Sequence, residues 1–158
     1  MNKLPVLLFT FLIILFSNQC LTVAKNYDKA IGIRGGLLSG ISYKQFISSD
    51  NALEFYVTGN KHTLYLAGEY EFYNNTKYSS LDWYYGGGIY SSFYEHDSSE
   101  KSEINGGMVI GVNGILGIEY NFKKIPLNIS LDWNPSVNLV GGVGFLADRG
   151  AISIRYYW

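Results

Sequence analysis

Beyond residue 25, apolar and polar side chains alternate through most of the chain. The pattern is clearest in Leu127-Asn128-Ile129-Ser130-Leu131-Asp132-Trp133, where every odd position is large and apolar. Leu53 to Val57 and Leu64 to Phe72 repeat it. The last residues do too, with Ile152, Ile154, Tyr156 and Trp158 on one side and Ser153, Arg155 and Tyr157 on the other. A period of two is that of a β-strand with unlike faces, and no segment sustains the 3.6-residue period of a helix. The alternation predicts eight strands near 28–36, 39–47, 52–59, 63–73, 81–94, 107–122, 125–134 and 150–158. No linker or low-complexity tract interrupts residues 25–158, which read as one all-β domain. The connections after strands two, four and six are short and polar: Ser48 to Asn51, Asn74 to Ser80, and Lys123-Lys124. Two longer loops, Glu95 to Asn105 and Pro135 to Arg149, fall at the opposite end. Short turns at one end and longer loops at the other are expected of an eight-stranded, antiparallel, up-and-down barrel that spans a membrane.

Alternation defines two faces without saying which points outward. One face carries Arg34, Lys44, Glu54, Glu69, Glu71, Asp82, Glu119, Asp132 and Arg155, and the opposite face of the same strands carries no charge. Its members include Ile41, Phe55, Leu64, Leu66, Trp83, Ile89, Val112, Leu116, Ile118, Ile129, Leu131 and Ile154. A soluble lipocalin-like barrel would turn this apolar face inward, and a membrane barrel would turn it outward. Eight strands enclose a space just wide enough for side chains, and the whole apolar set would crowd it. Glycines on the charged face (Gly86, Gly88, Gly111, Gly117) suit a tight interior. A Lys or Arg facing lipid costs about 2–4 kcal/mol at mid-bilayer, which accounts for so strict an exclusion of charge. Ile129→Lys is therefore expected to impair assembly, and Ser130→Lys to be tolerated better. The nine charged residues are read as an interior polar network, structural or pore-lining.

Residues 1–24 form a separate object. Met1-Asn2-Lys3 is a positive start, Leu4 to Phe16 is apolar, and Thr22-Val23-Ala24 offers small residues at a cleavage site. The apolar run is too short for a membrane-spanning helix, which needs ~20 residues, and reads as a cleaved secretory signal peptide. Cys20 follows Gln19 rather than a small residue, so it reads as part of that signal and not as a lipid-attachment site. It is the chain's one cysteine, which excludes a disulfide framework and a cysteine-rich zinc site.

Composition adds less. With 158 residues, 47% hydrophobic and 16% charged, the chain suits one ordered domain. A net charge of −1 argues against a nucleic-acid binder, which usually shows a basic face. Aromatic residues make up 16% of the chain, dominated by 14 tyrosines. Tyr43, Tyr70, Phe72, Trp83, Tyr120, Phe122, Tyr156 and Trp158 lie near the short-turn ends, and Phe93 and Trp133 near the others. Such rings favour a lipid–water boundary, so the tyrosine excess reads as a girdle plus barrel lining.

The stretch Gly150 to Trp158 resembles the C-terminal signature of outer-membrane β-barrels, in which a final aromatic follows apolar residues at alternate positions. Ile152, Ile154, Tyr156 and Trp158 supply that pattern, with Trp where most members have Phe. The resemblance implies recognition by the barrel-assembly machinery after delivery by periplasmic chaperones. Residues 25–158 as a whole resemble the small eight-stranded OmpA/OmpX-type class. Gly32 to Gly35 followed by Ser39 to Lys44 suggests its short members from Bacteroidetes-like bacteria. The implied protein is a non-enzymatic outer-membrane barrel of structural or surface-interaction role, with lipid as its environment. It is expected to be a monomer with no cofactor, metal or nucleic acid.

Other chemistry is weaker. A narrow cation-preferring channel follows if the acidic interior conducts. Glu69 and Glu71 share a face, but nothing in the sequence marks a substrate cleft around them. A lipid-modifying enzyme would need His62 or His96, both in predicted loops, and Tyr94 to Ser99 reads instead as a solvated acidic loop. Gly86-Gly87-Gly88 and Gly141-Gly142-Val143-Gly144 read as close packing or turns.

Overall fold

Residues 27–78, 80–94, 107–142 and 144–158 are described by a computed structural model. The expected signal peptide and the loop Glu95 to Asn105, with His96, lie outside the described residues.

Ten strand segments follow in chain order: β1 (Lys29–Gly36), β2 (Ser39–Phe46), β3 (Asn51–Gly59), β4 (Thr63–Asn75), β5 (Leu81–Tyr94), β6 (Gly107–Asn121), β7 (Leu127–Trp133), β8 (Ser136–Val140), β9 (Gly144–Leu146) and β10 (Gly150–Tyr157). All pairings are antiparallel. From β1 to β7 each strand pairs with the next, β7 pairs with β10, and β10 pairs with β1, so the sheet closes. Closure leaves no sheet edge among these eight strands. The fold is an eight-stranded, all-β, up-and-down barrel, as the alternation predicts.

The segment 135–149 departs from expectation. It is not a loop but a hairpin that lengthens the barrel wall. Leu116 faces Trp133 on β7 and Asn113 faces Ser136 on β8, so one register with β6 runs through both segments. Pro135 divides them because it has no N–H to give to the ladder, but its carbonyl still accepts from Gly114 N at 2.8 Å. At the hairpin tip, Gly141 and Gly142 take φ of +87° and +110°, a backbone region that side-chain-bearing residues rarely adopt. The return strand slips by one residue: Gly150 faces Trp133, whereas Leu146 faces Ser136. Residues 147–149 hold that extra residue as a bulge, pinned by Trp133 Nε1 donating to the Ala147 carbonyl at 2.6 Å.

The turns after β2, β4 and β6 are short, and so are Leu37-Leu38 and residues 60–62 at the other end. In the latter, Asn60 Oδ1 accepts from the backbone N–H groups of His62 and Thr63, both at 2.9 Å.

Facing is inverted relative to a soluble protein. Large apolar residues such as Ile33 (65% exposed), Ile41, Val57, Ile89, Leu116, Ile118 and Leu131 line the outside. The outward rows of the strands carry one charge, Lys29, at the first position of β1. Lys29 is an exception to the charge-free face expected from the sequence, and its place at the rim lets its ammonium reach water. Around the short-turn end, outward rings touch in pairs: Tyr70–Phe72, Phe72–Tyr85, Trp83–Tyr85, Tyr120–Phe122 and Tyr156–Trp158.

Inward glycines admit the large interior side chains. A Cβ on Gly117 would lie 2.5 Å from Tyr84 Cζ and 2.6 Å from Asp132 Oδ1. Outward Gly114 is roomy, its nearest neighbour being Pro135 Cγ at 3.6 Å. Gly117→Val is therefore expected to destabilise the barrel by about 1–3 kcal/mol, the usual cost of overpacking, and so to lower its unfolding midpoint in detergent. Gly114→Ala should leave it near wild type, and equal midpoints for the two variants would contradict the packing described.

Candidate functional site

The barrel interior is the polar centre of the molecule, and every wall strand contributes to it. Arg34 comes from β1, Lys44 from β2, Glu54 from β3, Glu69 and Glu71 from β4, Asp82 from β5, Glu119 from β6, Asp132 from β7 and Arg155 from β10. The structure buries all nine. Each shares its strand's inward parity, which is why residues up to 121 apart in sequence meet in one chamber.

Lys44 and Arg155 are the two hubs. Lys44 Nζ lies 2.8 Å from Glu71, 3.0 Å from Glu54 and 3.6 Å from Glu119. It also donates to Tyr73 OH at 2.7 Å and sits 4.4 Å from the centre of the Tyr84 ring. Arg155 lies 2.5 Å from Glu54 and donates to Ser42 Oγ at 2.9 Å and Ser130 Oγ at 2.8 Å. A guanidinium offers five donors in a fixed fork, and a carboxylate with two serines suits that fork. Arg34 pairs with Asp132 at 2.5 Å and donates to Asn134 Oδ1 at 2.9 Å. Glu119 accepts from Tyr27 at 2.7 Å and Tyr73 at 3.1 Å. Glu69 is held by neutral donors: Tyr56 at 2.8 Å, Asn134 at 3.1 Å, and Asn113. Asp82 accepts from Asn121 at 3.4 Å.

Two aromatic layers bracket this charged layer. Toward the short turns, Tyr27, Phe46, Tyr73 and Tyr84 form one cluster, with Tyr73 and Tyr84 stacked at 4.8 Å. Toward the other end, Tyr56, Tyr65 and Tyr90 stack at 6.0 and 4.9 Å. The ring faces meet the cations, while the hydroxyls reach the carboxylates.

One carboxylate oxygen from each of Glu54, Glu69 and Glu71 falls within 4.8 Å of the others. Lys44 and Arg155 already engage Glu54, and Lys44 engages Glu71. Glu54 and Glu71 are thus tied to the chain's own cations, and Glu69 to Tyr56, Asn113 and Asn134, rather than set around an open cleft. His62 lies on the surface in the β3–β4 turn. The outward row Ile152, Ile154, Tyr156 and Trp158 is exposed along and just beyond β10, the strand that closes the barrel against β1.

No protein-family model matches the chain, and no curated protein matches its sequence. Among solved structures, the N-terminal β-barrel domain of Pseudomonas aeruginosa OprF superposes with a TM-score of 0.67. The match covers 85% of this chain and 98% of that domain, at 14% sequence identity. The chain has the fold of the OprF barrel domain. At this identity the OprF likeness concerns the path of the backbone alone, so the chemistry of the interior is read from this chain's own residues.

The tyrosines expected in the barrel lining are six among the described residues. Tyr27, Tyr56, Tyr65, Tyr73, Tyr84 and Tyr90 are buried. The signal was present: Tyr56 shares parity with Glu54, Tyr73 with Glu71, and Tyr84 with Asp82. Tyr85 adds an exposed ring to the outer aromatic band.

Proposed function

We propose that this chain is an integral β-barrel of the bacterial outer membrane, exported by its N-terminal segment. Its role is structural or surface-interacting, without enzymatic activity. The observation that carries this reading is the inverted facing: large apolar side chains outside, and nine buried charged residues inside. In water, a soluble barrel of this kind would leave its large apolar rows hydrated, against the hydrophobic effect. Lipid outside supplies the missing environment, and the aromatic band matches the side chains favoured at its boundary. On this reading the barrel is a monomer, and periplasmic chaperones and the assembly machinery recognise the outward row of β10.

The interior is a lock rather than a channel, because the carboxylates are engaged by cations, tyrosines and amides that reach across it. Purified protein in planar bilayers is expected to leave the current at the lipid baseline. Steady single-channel steps that disappear in Glu69→Gln would replace the lock with a cation-conducting path.

A further inference from the structure

A cavity of about 260 Å³ lies at the mouth opposite the short turns. Leu37 and Leu38 of the β1–β2 turn, Tyr56, Tyr65, Thr58 and Arg149 contribute to its wall. Arg34 also borders the cavity, but its donors are committed to Asp132 and Asn134. Arg149 differs. The bulge at 147–149 places it on the inward parity of β10, and its guanidinium lies over the rings of Tyr65 at 5.1 Å and Tyr90 at 5.6 Å. Among the described residues, no carboxylate forms an ion pair with it.

The walls define what would fit. Tyr56 and Tyr65, whose rings lie 12° from parallel, give the cavity aromatic walls, and Tyr90 stacks on Tyr65 at 17°. One guanidinium with no carboxylate paired to it among the described residues calls for one carboxylate, which it can grip with two parallel N–H donors. A phosphate dianion would call for a second free cation, and the other guanidinium at the wall, Arg34, is already paired with Asp132. The volume falls just below the ~300–1,000 Å³ span of drug-sized pockets, which points to a single-ring ligand.

We propose that this cavity binds a small aromatic monocarboxylate, with Arg149 holding the carboxylate and Tyr56, Tyr65 and Leu38 covering the ring. The test titrates 4-fluorobenzoate into the full chain in detergent micelles, followed by fluorine NMR, with 4-fluorobenzyl alcohol as the neutral match and empty micelles as blank. Saturable binding of the acid is expected, with the alcohol weaker by about tenfold or more. Arg149→Met should weaken the acid by a similar factor, and Leu38→Trp should abolish binding by filling the space. Heat-dependent gel mobility of each sample reports separately whether the barrel has folded. Equal affinity for acid and alcohol, an unaffected Arg149→Met variant, or no saturable binding by the folded native chain would each overturn the proposal. If Arg149→Met fails to fold, the acid–alcohol comparison on the native chain decides alone.

Discussion

Lys44→Met is expected to be the most damaging interior substitution. Lys44 is fully buried and faces three carboxylates, and among the described residues it is the cation paired with Glu71. A methionine of similar length fills the space but leaves the Glu71 carboxyl without its counter-ion. Removing one partner of a buried ion pair costs about 3–5 kcal/mol. The loss should appear as a lower urea midpoint in detergent micelles. Adding Glu71→Gln to Lys44→Met should recover part of it, because the stranded carboxyl then goes as well. A single variant within about 0.5 kcal/mol of wild type, or a double variant no better than the single, would mean that the interior network does not lock the barrel.

The second large effect concerns the outer surface. Leu131 on β7 and Ile125 in the β6–β7 turn are similarly exposed, at 53% and 47%. They differ in what they face on the membrane reading: Leu131 belongs to the apolar band, and Ile125 neighbours Lys123 and Lys124 in the turn. Leu131→Lys is expected to cost about 2–4 kcal/mol and to depress assembly into membranes. Ile125→Lys should cost little, since an ammonium there stays in water. In a water-soluble barrel both changes would be harmless. Comparable assembly of the two variants, measured as the heat-modifiable fraction in the membrane, would contradict an apolar face toward lipid. Ser130→Lys is no longer the right comparison. Ser130 is buried and accepts a hydrogen bond from Arg155, so a lysine there would bring a second cation against the guanidinium.

Much of this fold was legible because a strand's period of two sorts side chains without ambiguity. Once Glu54, Glu69, Glu119 and Arg155 fell on one parity, the remaining strands could be set in register by the same rule. The sort failed where the chain departs from plain alternation. Pro135 and the bulge at 147–149 break the visible pattern, so two short strands looked like one long loop. Pairing across β6 and β8 is a contact between distant segments, which local periodicity does not record. Interior tyrosines were obscured for a different reason: a ring with a hydroxyl is at home on either face, and only its strand parity tells which. Which carboxylate meets which cation also lay beyond the sequence, because the meeting depends on how strands opposite one another across the barrel bring their side chains together. Arg149 owes its inward direction to a one-residue slip that no residue pattern announced.

The most direct measurement of the central claim is folding as a function of lipid. Protein unfolded in urea would be diluted either into buffer alone or into detergent micelles, then followed by far-ultraviolet circular dichroism and unheated gel mobility. With the apolar rows facing lipid, a β-rich, fast-migrating form should appear in micelles and revert on boiling, while the buffer sample aggregates. A stable, monomeric, β-rich species in buffer without detergent would contradict the account.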